Sequence, residues 1–266
     1  MPGSTSTTLP LRRHPAEPAA PVVGPAHTHT LASPRRPSIR PVAGPPVSLA
    51  LERFLNRGEF VEQLGNRNRS YLVSKRILDI CGSLALILAF APIMLAALVV
   101  LTVTTKGQPL FFQERIGLRG RRFWMAKFRT MHLNADKMQH VVANEKDGPI
   151  FKNRQDPRIT RIGRTLRSTS IDEMPQLFNV LLGSMSLVGP RPPVAKEVVK
   201  YERWQRRRLS VKPGLTCLWQ ISGRSEIEFE QWVRMDLWYL KNQSLATDLK
   251  LLLRTPASVI SGRGAY

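Results

Sequence analysis

The chain has 266 residues, 40 of them Lys or Arg and 19 Asp or Glu, a formal net charge of +21. Such a surplus points to a polyanionic partner, whether nucleic acid, an anionic membrane surface or phosphorylated substrates, and charge alone does not choose among them. The two cysteines, Cys81 and Cys217, make no disulfide framework, and no Cys/His cluster has the spacing of a zinc site.

Residues 1–69 open the chain as a Pro-, Ala- and Arg-rich tail with few large apolar side chains. Such a segment buries too little surface to offset its ordering entropy and is read as disordered, with a short amphipathic piece at Leu49–Leu64. Arg12-Arg13 lacks the apolar run that would follow in a twin-arginine export signal, so it reads as part of the basic tail. From Ile80 to Thr105 there is no charged residue. That run exceeds the ~20 residues needed to span a bilayer as a helix. Pro92 sits near its middle, however, and Lys75 and Arg76 precede it while Lys106, Arg115 and Arg119 follow. A central proline removes a helix hydrogen bond, and basic flanks at both ends favour one cytoplasmic side for both. Residues 70–106 are therefore expected to form a re-entrant helix-break-helix, broken at Pro92. A kinked helix crossing the bilayer is the alternative.

Residues 107–266 read as a compact α/β domain, mostly helical with a small sheet, on the cytoplasmic face. Strands are predicted at Pro109–Gln113 and Arg122–Phe128, separated by the turn glycines Gly117 and Gly120. Helices are predicted over Leu133–Glu145, Arg158–Leu166, a stretch ending at Leu182, Lys196–Leu209, Glu228–Leu240 and Leu245–Leu253. Ser170-x-x-Glu173 has the form of a capping box, and Asp172 would cap a helix carrying Pro175 in its first turn. Lys196–Leu209 is very basic, and its Tyr201 and Trp204 are residue types common at membrane interfaces.

The most informative residues are Asp172 and Glu173, adjacent carboxylates preceded by Arg161, Arg164 and Arg167. One carboxylate can attack phosphorus while its neighbour holds a divalent cation, and the arginines can hold phosphates. A cationic field of this kind keeps Asp172 ionised at neutral pH. Both acids also suit a helix N-terminus with no chemistry at all. In Gly189-Pro190-Arg191-Pro192-Pro193, prolines bracket one arginine and limit the entropy lost when its guanidinium binds phosphate; a plain connector would look the same. Lys127 and Arg129 alternate onto one face of a strand end, where they can meet a pyrophosphate or merely discourage edge pairing. Pro213-Gly214 marks a tight turn, and Trp219 reads more readily as a buried residue than as a stacking platform. Gly-rich loops of the Walker or Rossmann type are absent from the sequence.

Taken together, these runs resemble the bacterial sugar transferase family, the monotopic phosphoglycosyl transferases. The resemblance rests on Lys75-Arg76-Ile77-x-Asp79, Lys127-Phe128-Arg129-Thr130-Met131, Asp156-Pro157-Arg158-Ile159-Thr160, Ser170 through Val180, Met185 through Pro192, and Lys212-Pro213-Gly214-Leu215-Thr216. These runs are collinear and cover roughly residues 70–266, in the manner of the family's short members. Where some members carry Ser-Pro at the break of the membrane helix, this chain has Ala91-Pro92.

The resemblance implies transfer of a sugar-1-phosphate from a UDP-sugar to undecaprenyl phosphate, in the cytoplasmic leaflet of a bacterial inner membrane, at the start of exopolysaccharide or related glycan assembly. It implies Asp172 as nucleophile, Glu173 as the Mg²⁺ ligand, and Lys127, Arg167 and Arg191 as phosphate-binding residues. Oxygen ligands without thiol or imidazole clusters agree with Mg²⁺. The Gly262–Tyr266 terminus is similar to that of hexose-1-phosphate transferases. No nucleic-acid partner is expected, and a homo-oligomer is left open. Two rival readings are a membrane-tethered nucleic-acid-binding protein and a non-catalytic scaffold that lays the basic helix 196–209 on anionic lipid.

Overall fold

The computed structural model describes residues 68–145, 148–223 and 226–261. The expected disordered tail, apart from its last two residues, lies outside the described residues, as do the Leu49–Leu64 piece and Gly262–Tyr266. Helix α1, Arg69–Thr104, is a single 36-residue helix capped by Asn68, whose side chain accepts from the Ser70 amide. Among the described residues it is the one helix long and apolar enough to cross a membrane. The expected division into two helices is not seen. Pro92 lies inside one continuous helix, where it has no amide hydrogen to give the Leu88 carbonyl. The helix ends where Lys106 and Gly107 turn to positive φ.

Both ends of α1 pack on the rest of the chain. Near its start, Lys75 donates to the Asp248 carboxylate at 2.9 Å and to the Val188 carbonyl at 3.1 Å, while the Tyr71 and Tyr239 hydroxyls also donate to Asp248. Asp79 accepts from the Leu187 amide and the Ser186 hydroxyl, and Arg76 donates to the carbonyls of Val180 and Leu181. Near its end, Leu101 is buried with Phe128 and Leu166, flanked by Met94, Ala97 and Leu98. The polar anchors and the apolar one are far apart on α1, yet both belong to the same folded unit.

Strands β1 (Leu110–Ile116) and β2 (Arg122–Phe128) form an antiparallel hairpin in the register Leu110↔Phe128 to Ile116↔Arg122. Its buried members are Ile116, Met125 and Phe128. Helix α2 (Arg161–Ser168) starts at Thr160, whose hydroxyl accepts from the Gly163 amide. Gly163 lies so close to the Thr130 carbonyl that a Cβ there would overlap it, which brings α2 directly against the end of the hairpin. A single turn, Ile171–Glu173, leads to α3 (Gln176–Leu182). Strands β3 (Ser186–Val188) and β4 (Gly214–Thr216) pair in parallel. Between them lie α4 (Ala195–Val199) and α5 (Arg203–Arg206). The chain continues through α6 (Leu218–Ser222), α7 (Phe229–Lys241) and α8 (Leu245–Ser261).

Several local expectations change. The predicted helix over 133–145 is reduced to a 3-10 stretch, Ala135–Val141. The capping box does not form, because Ser170 takes a left-handed conformation (φ 59°) and caps nothing. Pro175 precedes the first residue of α3, the place where a missing amide hydrogen costs nothing. The predicted basic helix 196–209 is two short helices and a 3-10 turn, since Tyr201 leaves the helix to be buried against Phe229. Pro213-Gly214 leads into β4 rather than closing a turn, and α8 runs on through Pro256.

The Lys75–Asp248 pair gives a direct test of how α1 is held. Replacing Lys75 with Met leaves a fully buried carboxylate with tyrosine hydroxyls alone. We expect a loss of about 3–5 kcal/mol, read as a lowered thermal midpoint in detergent. An unchanged midpoint would show that the pair does not anchor the helix.

Candidate active site

The dyad sits in a turn because Ser170 reverses the chain after α2, and Ile171–Glu173 makes one 3-10 turn before α3 begins. Lys127 comes from the penultimate position of β2, and Arg191 from the loop after β3. That loop is held by its glycine. The Gly189 amide donates to the Thr216 carbonyl and the Gly214 amide to Pro190, and a Cβ on either glycine would overlap the other's backbone. Beyond it, Arg115 donates to the Pro192 carbonyl at 2.9 Å and the Ile116 amide to the Pro193 carbonyl at 2.9 Å.

These elements converge on Glu173. Its Oε1 accepts from Lys127 Nζ at 2.9 Å and from Arg191 Nη2 at 2.6 Å, and its Oε2 lies 3.4 Å from Arg191 Nη1. Arg167 reaches the same place from α2, its Nε donating to the Thr130 hydroxyl at 2.9 Å. Asp172 is only 7 % exposed, and its carboxylate accepts no hydrogen bond from the described residues. Together they line a cleft of about 420 Å³. Its walls carry nine Lys and Arg against four carboxylates, so its field attracts anions.

Burial would raise the Glu173 carboxyl, but Arg191 and Lys127 outweigh it and hold this acid well below the usual carboxylate range. Burial pushes Asp172 the other way, up to about 6, assisted by the neighbouring Glu173 charge and opposed by Lys127, Arg167 and Arg191. The dyad thus holds one carboxylate hydrogen-bonded to two cations and one that accepts no hydrogen bond from the described residues and is raised by burial. Burial lowers both Lys127 and Arg167 from their ordinary ranges. For Arg191, burial acts to lower the guanidinium, yet the Glu173 charge prevails and holds it above the arginine range.

Asp172, Glu173, Lys127, Arg167 and Arg191 therefore meet in one cleft; Pro92 lies away from it, in α1. Of the three arginines before the dyad only Arg167 lines the cleft, because Arg161 and Arg164 project to the exposed side of α2. Arg129 lines its edge, turned toward the Gln108 carbonyl at 2.8 Å. Trp219 is buried and stacked on Trp232 with ring centroids 4.0 Å apart, and both line the cleft wall. Sequence reasoning missed Arg115 and Arg208 as cleft residues. Arg115 reads as a flanking charge of the membrane segment, and Arg208 as one of many charges in a basic run. No local signal sets either apart.

No group of three or more His, Cys, Asp and Glu among the described residues can hold a metal. Mg²⁺ does not need one, since it takes one or two carboxylates and completes its shell with water and substrate phosphates. The unpartnered Asp172 carboxylate and the weakly engaged Glu173 Oε2 fit that demand.

Comparison with known proteins now bears on this geometry. The family model described as bacterial sugar transferase matches residues 70–262. The chain is 45% identical over 200 residues to the galactosyl transferase CpsE of Streptococcus agalactiae, covering 74% of this chain and 44% of that protein. It is 40% identical over 213 residues to the undecaprenyl-phosphate galactose phosphotransferase of Salmonella typhimurium, covering 76% and 43%. It is 39% identical over 202 residues to the UDP-glucose:undecaprenyl-phosphate glucose-1-phosphate transferase of Caulobacter vibrioides, covering 72% of each. The matches thus span less than half of the first two relatives. The family model spans the region that carries α1 and the cleft, and the chain belongs to the bacterial sugar transferase family.

Proposed function

We propose that this protein is an enzyme that transfers a hexose-1-phosphate, of glucose or galactose, from a UDP-sugar to undecaprenyl phosphate, initiating exopolysaccharide or related glycan assembly. The observation that carries the reading is the buried, unpartnered Asp172 carboxylate in a cleft where Lys127, Arg167 and Arg191 converge. The relatives' names supply the donor and acceptor classes.

Asp172 attacks the β-phosphorus of the UDP-sugar. The bond from phosphorus to the bridging oxygen breaks, UMP leaves with the electron pair, and an acyl phosphate joining the Asp172 carboxylate to the sugar phosphate forms. An oxygen of undecaprenyl phosphate then attacks the same phosphorus, which frees the carboxylate and yields the polyprenyl diphosphate sugar. One site thus serves two bulky phosphorylated substrates in turn. Lys127, Arg167 and Arg191 bind and orient the phosphates and stabilise charge that builds on their oxygens. Glu173 keeps Lys127 and Arg191 in place before substrate arrives. Mg²⁺, held by Glu173 with Asp172, would supply further charge neutralisation at the phosphate oxygens.

The membrane arrangement is also a proposal. At 36 residues and ~1.5 Å per residue, α1 is far longer than a ~30 Å hydrocarbon core. Both its ends pack on the catalytic unit, which supports a re-entrant insertion in the cytoplasmic leaflet with residues 70–106 entering and returning on one side. Large apolar side chains exposed outside α1, notably Leu182 at 82% on α3 and Ile260 at 85% on α8, agree with contact to an apolar phase. The scaffold reading loses its basis, because the continuous basic helix does not exist and Tyr201 and Arg208 are buried. The nucleic-acid reading is disfavoured because the cleft's Lys127 and Arg191 converge on one carboxylate.

Protein given radiolabelled UDP-sugar without acceptor should become labelled at Asp172, and Asp172→Asn should abolish both labelling and turnover. Because Asp172 must be ionised and burial places its pKa at about 6, labelling should fall about tenfold per pH unit below that value. Labelling of the Asn variant, or a rate flat from pH 7 to pH 5, would exclude this nucleophile.

Chelation of divalent metal should lower the rate strongly and Mg²⁺ should restore it. Glu173→Gln should lower it by about 10²-fold or more, through loss of the cation clamp and of a metal ligand. Full activity in excess chelator would remove the metal from the scheme.

For topology, Ser70→Cys and Gln108→Cys, each in a background lacking Cys81 and Cys217, should both react with an impermeant thiol reagent from the cytoplasmic side alone. Reaction of either from the periplasm would establish a helix that crosses the bilayer.

A further inference from the structure

Arg208 is a buried cation that the proposed mechanism does not use. It lies in the 3-10 turn Arg207–Ser210, is 4% exposed, and lines the cleft. Its Nη2 pairs with Asp236 Oδ2 at 2.6 Å and donates to the Arg191 carbonyl at 3.1 Å, while Nη1 donates to the Tyr201 hydroxyl at 3.0 Å. Asp236, on α7, is itself 1% exposed. The pair therefore adds little net charge to the cleft. A buried ion pair is also a poor source of stability, often matched or bettered by apolar side chains of similar volume. What this one does is hold a carbonyl.

That carbonyl belongs to Arg191. With Arg115 on Pro192 and the Ile116 amide on Pro193, three consecutive carbonyls of the loop each accept a hydrogen bond from outside it. Prolines on both sides of Arg191 remove most of the remaining backbone freedom. The launch point of the Arg191 guanidinium is thus set by three hydrogen bonds made to its loop from outside it.

We propose that Arg208, held by Asp236 and Tyr201, is a positioning residue that fixes Arg191 for binding the diphosphate of the donor. The inference rests on the transferase reading for the identity of that ligand. Lysine at 208 keeps the charge and loses the planar fork that reaches three partners at once.

The test is a double-mutant cycle with two readouts, UDP affinity by calorimetry and kcat/KM for UMP release. Arg208→Lys should weaken UDP binding about fivefold or more and lower kcat/KM about 10- to 100-fold, with the thermal midpoint little changed. In an Arg191→Ala background the same change should cost less than about threefold in either readout, because the group it positions is gone. Tyr201→Phe removes one hydroxyl, should show the same pattern at smaller size, and decides the question if Arg208→Lys fails to fold. Equal losses in both backgrounds would mean a merely structural pair, and wild-type UDP affinity in the folded variants would overturn the proposal. A wild-type protein that binds UDP but releases no UMP from UDP-sugars would instead count against the transferase reading, leaving the UDP cycle to judge Arg208.

Discussion

The Glu173 carboxylate ties together parts of the chain that share no local structure. Lys127 comes from the hairpin, Glu173 from the turn before α3, and Arg191 from the loop that follows β3. Brought together without a counter-ion, two largely buried cations would repel each other and lose hydration. A single carboxylate between them makes the convergence affordable. It also leaves the neighbouring acid, Asp172, largely buried and accepting no hydrogen bond from the described residues. The same interaction that assembles the cleft therefore gives the two carboxyls opposite titration, one well below its usual range and one pushed up to about 6. Giving two adjacent carboxyls opposite shifts takes environment, not chemistry of the side chain.

The long apolar helix α1 enters this arrangement through β3. Asp79 accepts from Ser186 and Leu187, and Lys75 donates to the carbonyl of Val188, so α1 grips all three residues of the strand. The chain from Val188 runs directly into Gly189 and the Arg191 loop. The position of α1 and that of the cleft are thereby coupled through three residues of strand. The polar anchors also explain why a helix that is apolar for most of its length carries Lys75, Arg76 and Asp79 near its start. Each finds a buried or half-buried partner on the catalytic unit.

Buried charge recurs through the domain. Lys75–Asp248, Arg158–Asp156 and Arg208–Asp236 are ion pairs with both members largely or fully buried. Part of the chain's large positive charge is thus spent on internal pairs that hold backbone in place. Arg158 stays on its own loop, accepted by an aspartate two residues away. The other two bridge distant segments.

Much was legible in the residues alone. The uncharged run from Ile80 to Thr105 makes a long apolar helix because no side chain in it resists hydrocarbon. The apolar-rich run Arg122–Phe128 and the turn glycines before it mark a hairpin, and the motif runs name the family. Asp172, Glu173, Lys127, Arg167 and Arg191 each allow a plain structural reading, and it is their collinear motif runs taken together that single them out. Other features depended on groups distant in sequence. Ser170 is left-handed, not a cap, because the chain must reverse between α2 and α3. The basic helix expected at 196–209 breaks because Tyr201 finds a place in the core beside Phe229, and local amphipathicity carries no information about that cavity. Arg208 and Arg115 look like any surface arginine until Asp236 and the loop carbonyls close around them. Composition and spacing thus determined which chemistry the chain can attempt. Only the tertiary structure decided which charges face each other, because pairing energies depend on distance and burial, and neither is written in the order of residues.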